Sequence, residues 1–181
     1  MKIKIADKKI FAKCIFEIFG KNINQNKLNG ISFNSREIQE GDVFIAFKGN
    51  NNNGHNYVDE CIEKGAILVI NETFEGNNNI VKVKSSREAL KMLSKMYRSH
   101  MRCKVIAITG SCGKTTTKEL LVHILKLKFS LSYTEHNFNS TIGMPMSTFS
   151  ISSSDDLFIA EIGTNSKGEI KFLSEVAQPD F

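Results

Sequence analysis

From residue 105 onward the chain alternates short apolar runs with helix-like segments, and this alternation constrains its fold more than any other feature. "VIAIT" at 105–109, "LSYT" at 131–134 and "LFIAEI" at 157–162 have strand length and composition. Residues 115–127, 142–149 and 168–176, set between and after them, read as helices. Strand alternating with helix predicts a parallel sheet covered on both faces, and hence an α/β class. The chain ends on "QPDF", where the pattern calls for another strand, so an open sheet edge is expected there.

The upstream half has a different rhythm. "KKIFAKCIFEIF" at 8–19 sets Ile10, Phe11, Cys14, Ile15, Ile18 and Phe19 on one helical face, and Gly20 follows as a stop. An Asn- and Lys-rich loop leads to a short strand, a polar turn at Asn34–Arg36 and a strand through Val43–Phe47. A loop at 50–54, a helix over 55–64, and strands at 66–70 and 79–83 complete this part. Ser85 and Glu88 form a capping box, which predicts a linking helix carrying Ala89, Leu90, Leu93 and Tyr97. Two domains are expected: a small α/β domain at 1–83, and the first part of a parallel-sheet domain at 84–181.

The turn after the first strand of the second domain reads "TGSCGKTTT". Gly113, Lys114 and Thr115 fit the end of a phosphate loop, but Ile108 stands where the usual first glycine would be, and Gly110 comes two residues later. The physics survives that shift. Glycines let backbone N–H groups turn onto phosphate oxygens, and the following helix adds its positive end. The predicted nucleotide contacts are Thr109, Gly110, Ser111, Cys112, Gly113, Lys114, Thr115 and Thr116. Lys114 supplies a mobile charge, and Thr115 a hydroxyl for Mg²⁺. The plainer alternative is a helix start that contains Gly-Lys-Thr. Cys112 is either a thiol activated by the helix end or a small residue tolerated in the loop. Glu161 ends an apolar strand, where parallel sheets bind ligands, and is a second expected Mg²⁺ contact. A cap on the next turn is the alternative.

Composition narrows the class. The net charge is +5, from 24 basic and 19 acidic residues without a long basic block, which an anionic small molecule explains as well as nucleic acid does. Four cysteines lack metal-ligand or paired spacing, so reduced thiols are expected. No apolar run approaches the roughly 20 residues needed to span a bilayer. A soluble, cytoplasmic protein is predicted.

Four stretches resemble the Mur ligase family in that family's order. They are "TGSCGKTTTKELL" at 109–121, "NSREIQEGDVFIAFKGNNNNGHNYVDECIEKGAILVI" at 34–70, "NFNSTIGMP" at 137–145 and "EIGTNSKGEI" at 161–170. The last two resemble the branch that joins D-Ala-D-Ala to UDP-N-acetylmuramoyl-tripeptide. The branch that adds the third peptide residue shares the N-terminal words and stays open as an alternative. So does a non-catalytic nucleotide- or UDP-sugar-binding module. The resemblance implies ATP and Mg²⁺, an acyl-phosphate intermediate, and a UDP-muramoyl-binding role for 1–83. It implies substrate contacts at Ser35, Arg36, His55, Asn137 and Asn139, with Lys114 and Glu161 as catalytic residues. A surface arginine, a helix-start histidine and ordinary turn asparagines are the alternatives. Ser140 stands where the family has a further asparagine. The resemblance also implies that a downstream histidine, a lysine and a C-terminal domain lie outside these 181 residues. This chain is therefore expected to have no ligase activity alone.

Overall fold

Short strands, the inner ones buried along their whole length, build the first sheet. The structure, a computed structural model, describes residues 2–49, 52–76, 79–135 and 138–181. The chain divides into two units, Met1–Leu93 and Ser94–Phe181. The first holds β1 (Lys2–Lys4), α1 (Lys8–Phe19), β2 (Gly30–Ser32), β3 (Val43–Ile45), α2 (Val58–Glu63), β4 (Leu68–Asn71) and β5 (Ile80–Lys82). These strands form one sheet in the order β1-β2-β3-β4-β5. β2 to β5 pair in parallel, whereas β1 pairs antiparallel to β2 with Ile3 opposite Ile31. The edge strand β1 is an addition to the sequence reading, whose first element is the helix at 8–19. Its Lys2 holds the buried Asp42 carboxylate at 2.7 Å.

Helix α1 starts because the Asp7 carboxylate accepts the Ile10 N–H, and stops at Gly20 with φ 65°. Phe11, Cys14 and Ile15 are its buried face. Beside α2, Ile38, Phe44, Ala46, Val58, Cys61, Ala66 and Val69 form one apolar cluster.

The division between units falls within α3 (Ser86–Ser99), which begins as its capping box predicts, with Ser85 Oγ accepting the Glu88 N–H. The second unit continues with β6 (Lys104–Ile108), α4 (Lys114–Leu125), β7 (Leu131–Tyr133), α5 (Gly143–Ser147), β8 (Leu157–Glu161) and α6 (Glu169–Ala177). The sheet is parallel in the order β6-β8-β7, so the last strand in sequence is the central one. Phe158, Ile159 and Ala160 are accordingly buried. Tyr97 lies edge-on to Phe149 and donates to the Ile151 carbonyl at 2.9 Å. The final residues run along β6: Phe181 N–H donates to Val105, and Ala107 N–H donates back to the Phe181 carbonyl.

Helix α4 turns few side chains inward. Its buried residues are Lys118 and Val122, while Leu120 and Ile124 face outward. Among the described residues, no helix is long and apolar enough to cross a membrane.

Candidate functional site

The second unit gathers most of the predicted residues around the ends of two neighbouring strands. β6 runs into the turn 109–113, and α4 starts at Lys114. Gly113 adopts φ 77°, a left-handed conformation that glycine alone enters without strain, and has no side chain to cap the helix. The first N–H groups of a helix have no acceptor within it, so this end can receive an anion. Thr109, Gly110, Ser111, Cys112, Gly113 and Thr116 are all exposed, and the Lys114 ammonium folds back onto the Gly110 carbonyl at 2.7 Å. A cleft of about 580 Å³ opens along the same helix, lined by Thr115, Thr116, Glu119, His123 and Tyr133 among others.

Glu161 closes β8 and stands in register with Ile108, the residue before the turn. Its side chain is 1% exposed. Oε1 accepts two hydrogen bonds, from Thr115 Oγ1 at 3.1 Å and from Asn139 Nδ2 at 2.8 Å. Oε2 is buried and accepts none. Thr115, Asn139 and Glu161, separated widely in sequence, thus converge on one carboxylate oxygen. The loop carrying Asn139 is held against the strand end, because its carbonyl accepts the Gly163 N–H at 2.8 Å. A Cβ on Gly163 would come within 2.9 Å of Asn139, so glycine is what permits this approach.

Sequence reasoning missed Lys118. It is 0% exposed, and its Nζ donates to the Thr134 carbonyl at 2.8 Å. It also lies 3.0 Å from Glu119 and 3.8 Å from Glu161 Oε2, within ion-pair reach of the latter but beyond a hydrogen bond. The available signal was spacing: Lys118 follows Thr115 by three residues and so shares its helix face.

The first unit carries the remaining candidates. Asn34 caps a single 3₁₀ turn at Ser35–Glu37, leaving Ser35 buried and Arg36 exposed. A second turn, Gly54–Tyr57, is capped by Asn53 and carries His55. Phe33 and Phe47 follow the ends of β2 and β3 and meet edge-on, with ring centroids 6.1 Å apart. Gly54 N–H donates to the Phe47 carbonyl, so both turns leave the same end of the parallel strands. His55 is buried and turned inward, its Nδ1 accepting the Glu72 N–H at 3.4 Å and its Nε2 3.8 Å from the Glu72 carboxylate. Asn137 lies outside the described residues.

Two family models match successive parts of the chain. Residues 27–102 match the Mur ligase family catalytic domain, and residues 108–181 match the Mur ligase middle domain. This chain belongs to the Mur ligase family. A UDP-N-acetylmuramoyl-tripeptide–D-alanyl-D-alanine ligase of Rickettsia prowazekii is 38% identical over 160 residues, covering 87% of this Mur ligase chain and 35% of that protein. The crystal structure of a MurF ligase from Thermotoga maritima in complex with ADP superposes with a TM-score of 0.78 at 36% identity, over 83% of this chain and 35% of that one. MurF from Acinetobacter baumannii gives 0.82 at 31% identity, over 93% and 39%. The chain therefore spans little more than a third of the length of these relatives.

Proposed function

We propose that this chain is the nucleotide- and UDP-muramoyl-binding part of an ATP-dependent ligase that adds D-Ala-D-Ala to UDP-N-acetylmuramoyl-tripeptide. The observation that carries the reading is the convergence of Thr115, Asn139 and Glu161 beside the 109–116 turn. The ADP held by the Thermotoga relative and the names of the curated relatives support it. Residues 1–83 would bind the UDP-sugar end through Ser35 and Arg36, with His55 shaping the second turn. Residues 84–181 would begin the ATP-binding domain of a cytoplasmic enzyme.

In this reading the turn amides and the α4 end cradle the phosphates, and Lys114 leaves the Gly110 carbonyl for a phosphate oxygen. The site fits Mg²⁺: Thr115 Oγ1 and Glu161 offer hard oxygens, and Glu161 Oε2 has no donor of its own. Among the described residues no three His, Cys, Asp or Glu side chains cluster, so Thr115, one carboxylate and phosphate oxygens would hold the ion. When bound, Mg²⁺ supplies charge neutralisation at the transferring phosphate. Asn139, and Asn137 with it, would orient the tripeptide carboxylate, which attacks the γ-phosphorus as ADP leaves. The D-Ala-D-Ala amine then displaces phosphate from the acyl phosphate.

Calorimetric titration with UDP-N-acetylmuramoyl-tripeptide tests the substrate half. Saturable binding that weakens about tenfold or more in Arg36→Ala is expected, since an arginine–phosphate contact is a strong charge-assisted bond. Absence of binding, or an unaffected Arg36→Ala variant, refutes it.

A further inference from the structure

We propose that Lys118 is a positioning residue that sets the Glu161 carboxylate for the metal-bound nucleotide. The proposal rests on the reading that the 109–116 turn and Glu161 handle a magnesium nucleotide. A lysine with no solvent exposure, in a helix whose other buried residue is Val122, demands a reason, because burying an ammonium is costly unless it is paired. Its surroundings supply one. Nζ donates to the Thr134 carbonyl at 2.8 Å, while the Thr134 hydroxyl accepts the Glu161 backbone N–H at 2.8 Å. Lys118 and Glu161 therefore grip the same residue from two sides.

Thr134 directly follows β7, and Glu161 ends β8, which pairs with β7. One side chain from α4 thereby fixes both the strand end that carries the carboxylate and the neighbouring strand beside it. The charge acts as well. Nζ lies 3.8 Å from Oε2, near enough to balance a buried negative charge but too far to occupy the oxygen with a hydrogen bond. Oε1 is meanwhile taken by Thr115 and Asn139. The carboxylate is held at one oxygen and left open at the other. Lys118 is turned inward, away from solvent, with its ammonium 5.8 Å from the Tyr133 ring centroid and 3.0 Å from Glu119.

The test is a double-mutant cycle on the 181-residue chain, reading ADP affinity by calorimetry in EDTA and in excess MgCl₂. The quantity followed is the gain in affinity that magnesium brings. Lys118→Met is expected to cut that gain about 10- to 100-fold, the range for partners that orient metal ligands, and to change affinity in EDTA by less than about threefold. In a Glu161→Gln background the same substitution is expected to have no further effect on the gain. Lys118→Arg, which keeps the charge, should retain most of it. A lysine that merely stabilises the core predicts otherwise: equal losses with and without magnesium, or additive effects in the Glu161→Gln background. Either result overturns the proposal. Should Lys118→Met give no cooperative melt, Lys118→Gln replaces it, since it can keep a donor for Thr134 without the charge; an unchanged gain in that variant also overturns the proposal. A wild-type chain that binds ADP with no magnesium gain removes the underlying reading, and the proposal with it.

Discussion

Replacing Gly163 by alanine probes how the candidate site is held together without touching any residue that would meet a ligand. The φ of Gly163 lies outside the left-handed range, so alanine fits its backbone, and the cost is steric. The new Cβ would stand 2.9 Å from both Cγ and the backbone oxygen of Asn139, and 3.0 Å from its Oδ1. The backbone oxygen cannot simply rotate away, because it accepts the Gly163 N–H at 2.8 Å. Relief requires the 138–140 loop to withdraw, which stretches the Asn139–Glu161 bond from its 2.8 Å. Overpacking of this kind costs about 2 kcal/mol. For a unit of under a hundred residues that corresponds to a melting shift of about 8–16 °C. Gly168→Ala is the control. It has φ 96° and nothing within 4 Å, so it measures backbone strain alone, at about 1 kcal/mol. Thermal melts followed by circular dichroism give both values, and ADP titration with magnesium should show Gly163→Ala weakened and Gly168→Ala unchanged. A Gly163→Ala variant that melts within about 2 °C of wild type would refute the packing reasoning.

Two further outcomes follow from burial. Cys112 is the exposed thiol of the four, while burial pushes Cys14 up to about 11 and Cys61 up to about 12, and raises Cys103 as well. Since the thiolate is the reactive form, a thiol reagent at pH 8 should modify one cysteine rapidly, and Mg·ADP should slow that reaction; rapid modification of two or more thiols in the folded chain contradicts it. Arg98 is buried and donates to the carbonyls of Ala177, Met101 and Cys103 at 3.1, 2.9 and 3.1 Å. Arg98→Met strands these acceptors and should cost about 3–5 kcal/mol in urea unfolding, with Arg98→Lys recovering only part; a loss below about 1 kcal/mol counts against it.

Much of this arrangement is legible in the sequence, for identifiable reasons. Parallel strands buried on both faces need continuous apolar runs, and "VIAIT" and "LFIAEI" announce themselves by that property. The capping box at Ser85 and the stop at Gly20 are local, and local chemistry fixes them. Glu161 is legible as a carboxylate ending an apolar strand. β1 escapes because a three-residue edge strand carries too few apolar positions, although Lys2-Ile3-Lys4-Ile5 alternates as a strand should. Lys118 escapes because lysine at a helix position normally signals solvent. Only the fold brings it against Thr134 and Glu161, 16 and 43 residues away. The Asn139–Glu161 bond escapes for the same reason, since its geometry depends on the close approach at Gly163. The outward facing of Leu120 and Ile124 is not legible either, because hydrophobic spacing does not say which face of α4 the sheet covers.

The most direct measurement of the central claim is calorimetric titration of the 181-residue chain with Mg·ADP, beside Lys114→Ala. The turn at 109–116 and Glu161 predict saturable binding at one site, weakened about 10- to 100-fold when the lysine's charge-assisted bond is removed. A folded chain that binds no nucleotide, or binds it equally well without Lys114, would contradict the assignment of this turn as the phosphate site.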